Sequence, residues 1–572
     1  MKRFIGSFNP FSQCGVRRRG RSSKMEARFA ILNLSKFQAR AIAYQAIGLK
    51  GNAMRYDFDR MLKQLQQMRE EAHQGGGPER RATEIARGKF SARERIELLL
   101  DKDTFEEVYT FAKTLCTDFG MDKKQYLGDG IVTGFGKMDS RKVCVVATDV
   151  TVLGGSGTCT HLRKWCELVD TAARVGAPMI QLNDSGGGRV QEGLHYYSFT
   201  GSLFYSNTQA SGVVPQITAV VGRNAGHGVY GAALTDFVFM VDNIGEMYIT
   251  GPTVIKAVTA EEVTFDELGG AKVHAQVTGI ADLRLPSEAE CFQQIRRLLS
   301  FLPQNCREKP PGKACCDNPK RADVRLNTIL PEDPRKVYNM KEIIRVIVDD
   351  EDFFELKPEY ARNIIIGFAR FNGNTVGIVA NQPLHLGGCL TVESSIKSAR
   401  FVRFCNAFNI PLLFLIDTPG YLPGVEQEHA AIIKHGAKLL FALCEATVPK
   451  ISIVIRRAYG GANVAMGANK EHGMDLVYSW PTGEFALMGP EQAAALLYRA
   501  EVKKAEDPAQ FLSIKCNEYR EKFSNPYYYA SYMNIDDVIF PSETRWKIIH
   551  GFDLTEGKQQ YNLPRRLGNI PL

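Results

Sequence analysis

Two short glycine clusters hold the residues of this sequence whose type and spacing can do chemistry. Gly186-Gly187-Gly188 follows the apolar run Met179 to Leu182 and Asp184, and Gly460-Gly461-Ala462 follows the run Ile451 to Ile455. A glycine-rich turn at the end of a buried strand, opening a helix, points backbone N–H groups outward with no Cβ in the way. Such amides stabilise an anion. When the anion forms during a reaction they make an oxyanion hole, worth about 3 to 4 kcal/mol per donor in acyl chemistry. Gly187 and Gly188 are one candidate pair, and Gly461 and Ala462 are the other.

The elements that must position these amides occur twice. GAPMIQLNDSGGGRVQEG (Gly176 to Gly193) and VVPQITAVVGRNAGHGVY (Val213 to Tyr230) match NIPLLFLIDTPGYLPG (Asn409 to Gly424) and TVPKISIVIRRAYGGANV (Thr447 to Val464). Pro178 and Pro411, and Asp184 and Asp417, lie 233 residues apart; Pro215 and Pro449 lie 234 apart; Gly154-Gly155 falls on Gly387-Gly388. Met179 to Leu182, Ile217 to Val221, Leu412 to Ile416 and Ile451 to Ile455 read as buried strands, each closed by a turn, with helical patterns between them. Strands alternating with helices predict two copies of one α/β unit. The first copy is expected from about Gly128 to Leu302 and the second from about Met340 to Phe540, joined by a linker carrying Pro303, Pro310, Pro311, Pro319, Pro331 and Pro334. Ahead of them, Tyr56 to Ala72 has helical spacing and breaks at Gly75-Gly76-Gly77-Pro78. Ser91 with Glu94 then makes a capping box before Ile96 to Leu100.

At 572 residues, 44% hydrophobic and 23% charged, the chain has an ordinary globular composition and room for several domains. No window approaches the 18 apolar residues of a membrane span. The net charge of +8 is unevenly placed. Residues 1–55 carry twelve Lys and Arg against the single acid Glu26, so the remainder is slightly acidic and does not read as a nucleic-acid surface. The leader, with Arg17, Arg18, Arg19, Arg21, Arg28 and Arg40 among several serines, resembles a mitochondrial presequence. The thirteen cysteines include no CxxC pair, and Cys306, Cys315 and Cys316 lack a histidine partner set, so no metal site is expected. Gly134-Phe135-Gly136-Lys137 is not a P-loop, and no GxSxG elbow occurs.

The stretches ARGKFSARERIELLLD, NDSGGGRVQEG, ASGVVPQI, ITGPTVIKAVT, ELGGAKVH, SARFVRFCNAFNIPLL, DTPGYLPG, HGAKLLFALCEATVPK, AYGGA and WPTGEFALMGP resemble the carboxyltransferase (β) subunits of biotin-dependent acyl-CoA carboxylases, most closely propionyl-CoA carboxylase. The resemblance covers about Tyr56 to Leu572. It implies two tandem crotonase-like domains related by internal duplication: residues 56–325 on the acyl-CoA side and 326–572 on the biotin side, behind a leader of residues 1–55. It implies carboxyl transfer from N1-carboxybiotin to the α-carbon of a short acyl-CoA, with propionyl-CoA giving methylmalonyl-CoA. No Ala-Met-Lys-Met stretch is present, so biotin would come on a separate biotin carboxylase/carrier (α) subunit that also uses the ATP. The assembly implied is a homo-hexamer, a trimer of dimers, in the mitochondrial matrix if the leader is a presequence and otherwise in the cytoplasm.

On the same resemblance, the amides of Gly187 and Gly188 would serve the thioester and those of Gly461 and Ala462 the biotin. Gly154, Gly155, Gly186, Arg189, Ala225, Gly226, Tyr230 and Val464 would line the acyl-CoA site, and Gly420, Tyr421, Gly460 and Asn463 the biotin site. Biotin itself would take the α-proton, leaving Asp184, Asp417, Tyr230 and His435 as orienting residues rather than catalysts. The chain departs from the family at three loops. The family's GPCAGGAVYSPALTD runs from Gly222 to Asp236 here, with Arg223 and His227 adding bulk and charge. AYGGAYDVM runs from Ala458 to Met466, with Val464 in the aspartate position. QEYGG has become Gln427-Glu428-His429-Ala430-Ala431. Two other readings stand beside carboxylation: the decarboxylase subunit of a biotin-dependent sodium pump, and a non-catalytic scaffold that the changes at Arg223, His227 and Val464 would favour.

Overall fold

The computed structural model describes residues 56–572, so the expected presequence of residues 1–55 lies outside the described residues. The chain falls into two compact units, residues 1–66 and 67–572. The described residues of the first unit supply the start of the helix Phe58–Gln74. The second unit contains both repeats.

The duplication is realised as two eight-stranded sheets of identical plan. The first comprises β1 (Glu106–Val108), β2 (Ile131–Met138), β3 (Arg141–Thr148), β4 (Met179–Ser185), β5 (Gln216–Ala225), β6 (Phe237–Val241), β7 (Glu246–Tyr248) and β8 (Leu283–Leu285). The second comprises β9 (Phe353–Leu356), β10 (Ile364–Phe371), β11 (Asn374–Asn381), β12 (Leu412–Thr418), β13 (Lys450–Tyr459), β14 (Leu476–Ser479), β15 (Glu484–Ala486) and β16 (Asp537–Val538). Their orders are β1-β2-β3-β4-β5-β6-β8 and β9-β10-β11-β12-β13-β14-β16, with β7 on β5 and β15 on β13. The first three strands of each are antiparallel and the rest parallel.

Helices cover the parallel part, so β4 and β12 are buried along their whole lengths. This is why they read as continuous apolar runs instead of alternating ones. Both strands run past the aspartates at which the sequence pattern ends them, to Ser185 and Thr418, and the register with the next strand slips at the same place, between Asn183 and Ser185 and between Ile416 and Thr418. The slip turns the chain out of the ladder just where the first glycine cluster begins. The capping box is formed as expected: Ser91 accepts from the Glu94 N–H at the start of Ala92–Leu99. The two sheets share an apolar core, in which Phe237 of β6 meets Phe404 edge-on at 4.6 Å. Among the described residues no helix is long and apolar enough to cross a membrane, and no group of His, Cys, Asp and Glu is placed to hold a metal ion.

Candidate active site

Each repeat carries an aspartate at the end of its second parallel strand, and each aspartate is buried and paired. Asp184 Oδ2 accepts from Arg95 Nη1 and Nη2 at 3.1 Å, and Lys89 Nζ lies 3.1 Å from both oxygens. Asp417 accepts from Arg456 Nε at 3.0 Å and Arg457 Nε at 2.8 Å. Neither carboxylate is exposed, and each is spent on cations at the end of its strand. Thr148 Oγ1 and Asn381 Oδ1, at matching positions, receive the two aspartate N–H groups. Gly155 and Gly388 pack so closely on the Asp184 and Asp417 carbonyls that a Cβ would come within 2.5 and 2.4 Å.

These anchors hold the first glycine cluster of each repeat in one shape. Gly157 N–H donates to Gly187 O at 2.8 Å and Arg189 N–H to Gly157 O at 2.8 Å; Leu390 and Gly420, then Leu422 and Leu390, repeat the pair at 3.0 and 2.8 Å. Ser185 Oγ takes the Gly187 N–H at 3.2 Å, as Thr418 Oγ1 takes that of Gly420 at 3.3 Å. Gly186 N–H donates to Gly154 O at 2.9 Å. The Gly188 N–H has no acceptor among the described residues. Gly187 stands at φ 105°, a conformation only glycine adopts without strain.

Arg189 is buried and spends its guanidinium inside the loop, on Asp129 at 2.7 Å and on Ser156 Oγ and O at 3.1 and 2.9 Å. It therefore shapes the anion loop from behind. Burial pushes the Asp129 carboxyl up, and the Arg189 charge pulls it back toward ionisation. Ala225 closes β5 with its carbonyl 3.5 Å from where a Gly187 Cβ would stand, and Gly226, at φ 66°, opens the helix His227–Ala233. Tyr230, half-exposed on that helix, meets Phe204 edge-on.

The second glycine cluster of the second repeat is built on the matching helix, Gly460–Ala465. Its first-turn amides, Gly460, Gly461 and Ala462, have no carbonyl one turn earlier to receive them. Gly460 takes the same left-handed turn as Gly226, at φ 56°. Asn463 donates to Ala458 O at 3.0 Å, and its Oδ1 is buried with no partner among the described residues. Val464 is half-buried on the same helix as Gly461 and Ala462. Gly420 is open, and the Tyr421 ring lies 3.7 Å from a Gly461 Cβ position with its hydroxyl buried and unpartnered among the described residues. Burial pushes that phenol up to about 12. His435 lies in the first turn of Ile432–Glu445 with Nδ1 buried and without a partner among the described residues, its basicity lowered by burial and by Lys438 and Lys434.

Superposing the repeats in register places Gly188 on Tyr421 and His227 on Gly461. Each repeat thus has one bare cluster and one cluster carrying a ring: Gly187-Gly188 is bare where His227 fills, and Gly461-Ala462 is bare where Tyr421 fills. The two candidate amide pairs are the two bare clusters.

The structure revises two expectations and adds groups that spacing did not reveal. Arg189, expected to line the acyl-CoA site, is buried with its guanidinium spent on Asp129 and Ser156. Arg223 does not project into the site: it bonds Glu246 at 3.2 Å and stacks on Phe265 at 4.2 Å, half-exposed. Lys164 and Lys397, 233 residues apart, are buried ammonium groups spent on carbonyls, Gly128 and Ile131 in the first repeat and Lys357, Tyr360, Ala361 and Ile364 in the second. The repeat register alone could have found that pair.

The carboxyl transferase domain family matches residues 83–570. The α subunit of methylmalonyl-CoA decarboxylase from Propionigenium modestum is 47% identical over 511 residues, 89% of this chain and 99% of that one. The mitochondrial propionyl-CoA carboxylase β chain of Homo sapiens is 45% identical over 512 residues, 89% of this chain and 93% of that one. Among solved structures, a transcarboxylase 12S hexamer with methylmalonyl-CoA and methylmalonic acid bound has a TM-score of 0.88 at 43% identity, covering 91% of this chain and 100% of that one. The two sheets are accordingly the tandem crotonase-like α/β domains that the motifs implied, and the chain belongs to the carboxyl transferase family as a carboxyltransferase component of the propionyl-CoA carboxylase type.

Proposed function

We propose that this chain moves a carboxyl group between a biotin carried by another subunit and the α-carbon of propionyl-CoA, giving methylmalonyl-CoA. The observation that carries this reading is one bare amide cluster per repeat, each backed by a buried, ion-paired aspartate. The Gly188 N–H, joined by the Gly187 N–H as it turns from Ser185 Oγ, holds the thioester oxygen as negative charge develops on it. The α-proton of a thioester is weakly acidic, so stabilising that oxygen in a water-poor site lowers the barrier to enolate formation. Gly461 and Ala462 would hold the ureido oxygen, and the flat Tyr421 ring beside Gly461 suits a flat ureido ring. Biotin supplies the activated carboxyl group and, once relieved of it, the base.

We further assign residues 56–325 to the acyl-CoA side and 326–572 to the biotin side. The hexamer of the transcarboxylase relative supports a homo-hexameric core, and the human relative's mitochondrial name supports reading residues 1–55 as a presequence for the matrix. The 47% identity to a methylmalonyl-CoA decarboxylase subunit supports a second reading, the same transfer run in reverse. The chain alone should release CO2 from methylmalonyl-CoA when free biotin is added, faster than from malonyl-CoA. No turnover by a folded protein that binds CoA esters would replace both readings with the scaffold. Co-purification with a biotin carboxylase favours the carboxylase, and with a membrane protein the decarboxylase. Val464→Asp should change the relative kcat/KM for the two thioesters; an unchanged ratio would remove Val464 from the acyl pocket.

A further inference from the structure

We propose that Tyr196 and His227 form a positioning pair that fixes the Gly188 peptide of the first anion site, an inference that rests on the function proposed above. Tyr196 lies on the helix His195–Ala210, immediately after the anion loop, and His227 opens the helix after β5. Their side chains are buried and bonded, Tyr196 hydroxyl to His227 Nδ1, with the rings edge-on at 5.1 Å. The pair touches both sides of the two-residue bridge that holds the loop. The Tyr196 ring lies 2.8 Å from where a Gly188 Cβ would stand, and His227 Cε1 lies 3.3 Å from where a Gly157 Cβ would stand. Gly157 and Gly188 are themselves the bridged residues.

The second repeat shows what such a ring does. Tyr421 occupies the Gly188 position there and packs against Gly461, the residue in the His227 position. In the second repeat the bare cluster leans directly on a ring of the opposite cluster, whereas in the first it leans on Tyr196, whose hydroxyl the opposite cluster's His227 holds. His227 is where the family keeps glycine, and the larger ring comes with a hydroxyl partner that locks its orientation. A neutral imidazole accepts the phenol proton at Nδ1, so the hydrogen bond is made without placing charge behind the loop.

The test compares His227→Ala, His227→Gln and Tyr196→Phe with the unaltered chain in biotin-dependent decarboxylation of methylmalonyl-CoA. His227→Ala should lower kcat tenfold or more with KM within twofold. His227→Gln, which still accepts from Tyr196, should recover most of the loss, and Tyr196→Phe should fall between. Deuterium uptake by the peptide carrying residues 186–190 should rise in His227→Ala and Tyr196→Phe and stay near the unaltered value in His227→Gln. Unchanged uptake in His227→Ala, a change confined to KM, or a His227→Gln as impaired as His227→Ala would each overturn the pair's role. The uptake arm stands whether or not the chain turns over, so an inactive unaltered protein would sink the proposed reaction without deciding this inference.

Discussion

Arg95 and Asp184 pair with both side chains at most 1% exposed, across 89 residues of sequence. Arg95 also bridges to Glu288, through Nε to Oε2 at 2.7 Å and Nη2 to Oε1 at 3.0 Å. The second repeat solves the same problem locally: Arg456 and Arg457 reach Asp417 from the neighbouring strand β13. Gly222 holds the position of Arg456, and a Cβ there would sit 2.0 Å from Asp184 Oδ1, so no side chain fits at that position, while Arg223, in the position of Arg457, turns to Glu246. The helix Ala92–Leu99 supplies the cation instead. Removing the guanidinium leaves the buried Glu288 without a cation and Asp184 with Lys89 alone, at a cost of about 3 to 5 kcal/mol. Arg95→Met should lower the urea midpoint accordingly, and a loss under about 1 kcal/mol would show that Lys89 suffices.

The paired lysines make a graded prediction. Lys397 Nζ serves four carbonyls and Lys164 Nζ two, in helices that pack on the same strands of their repeats. Each orphaned buried carbonyl costs about 1 to 3 kcal/mol. Lys397→Met should therefore destabilise more than Lys164→Met in thermal melts, and the reverse order would mean that the carbonyls find water.

Ala431 sits at φ 64° between the helices Val425–His429 and Ile432–Glu445, where the family's QEYGG motif has glycine. A left-handed alanine costs about 1 to 2 kcal/mol, partly offset by the greater freedom that glycine has in the unfolded chain. Ala431→Gly should raise stability by about 0.5 to 1 kcal/mol. A lower melting temperature would mean that the turn is held in place by the packing of its methyl group.

Burial depresses His227 from 6.5 to about 4. His161, on the facing helix Cys159–Val175, is also depressed, by burial first and then by the charges of His227, Arg189 and Lys164. A histidine whose folded pKa lies below its unfolded value binds fewer protons when folded. Its neutrality therefore contributes stability that is fully present above about 6.5 and is lost as pH falls through about 4. Across that window the loss is about 3 kcal/mol at most. His227→Gln should melt with a shallower pH dependence between 6.5 and 4, and parallel curves would place the charge elsewhere.

The strand cores and the duplication were legible because parallel strands buried on both faces leave unbroken apolar runs, and because Pro178, Asp184 and Pro215 recur in register. The bare amides were legible as glycine. Their supports were not. Lys164 and Lys397 read as ordinary helical lysines, since spacing says nothing of which face the apolar core will claim. Arg223 read as a charge in the site because its partners, Glu246 and Phe265, are brought to it only by the pairing of β7 with β5 and the helix that follows. Arg189 likewise looks free until Asp129 is brought beneath it, 60 residues away in sequence.

The bare clusters differ in how much room they leave, and that asymmetry can be measured. At Gly188 a methyl group would stand 2.8 Å from the Tyr196 ring, which cannot yield while its hydroxyl is held by His227. At Gly461 the nearest atoms are those of the Tyr421 ring at 3.7 Å, an ordinary contact. Gly188→Ala must therefore shift the loop and its N–H, whereas Gly461→Ala adds bulk without moving the backbone. Loss of one donor at such a site costs about 100- to 1000-fold in kcat. Gly188→Ala should approach that loss in methylmalonyl-CoA decarboxylation. Gly461→Ala should lose much less and show it in the biotin concentration needed for half-maximal rate. Equal losses in kcat would mean that both clusters are held by their helices rather than by the rings behind them.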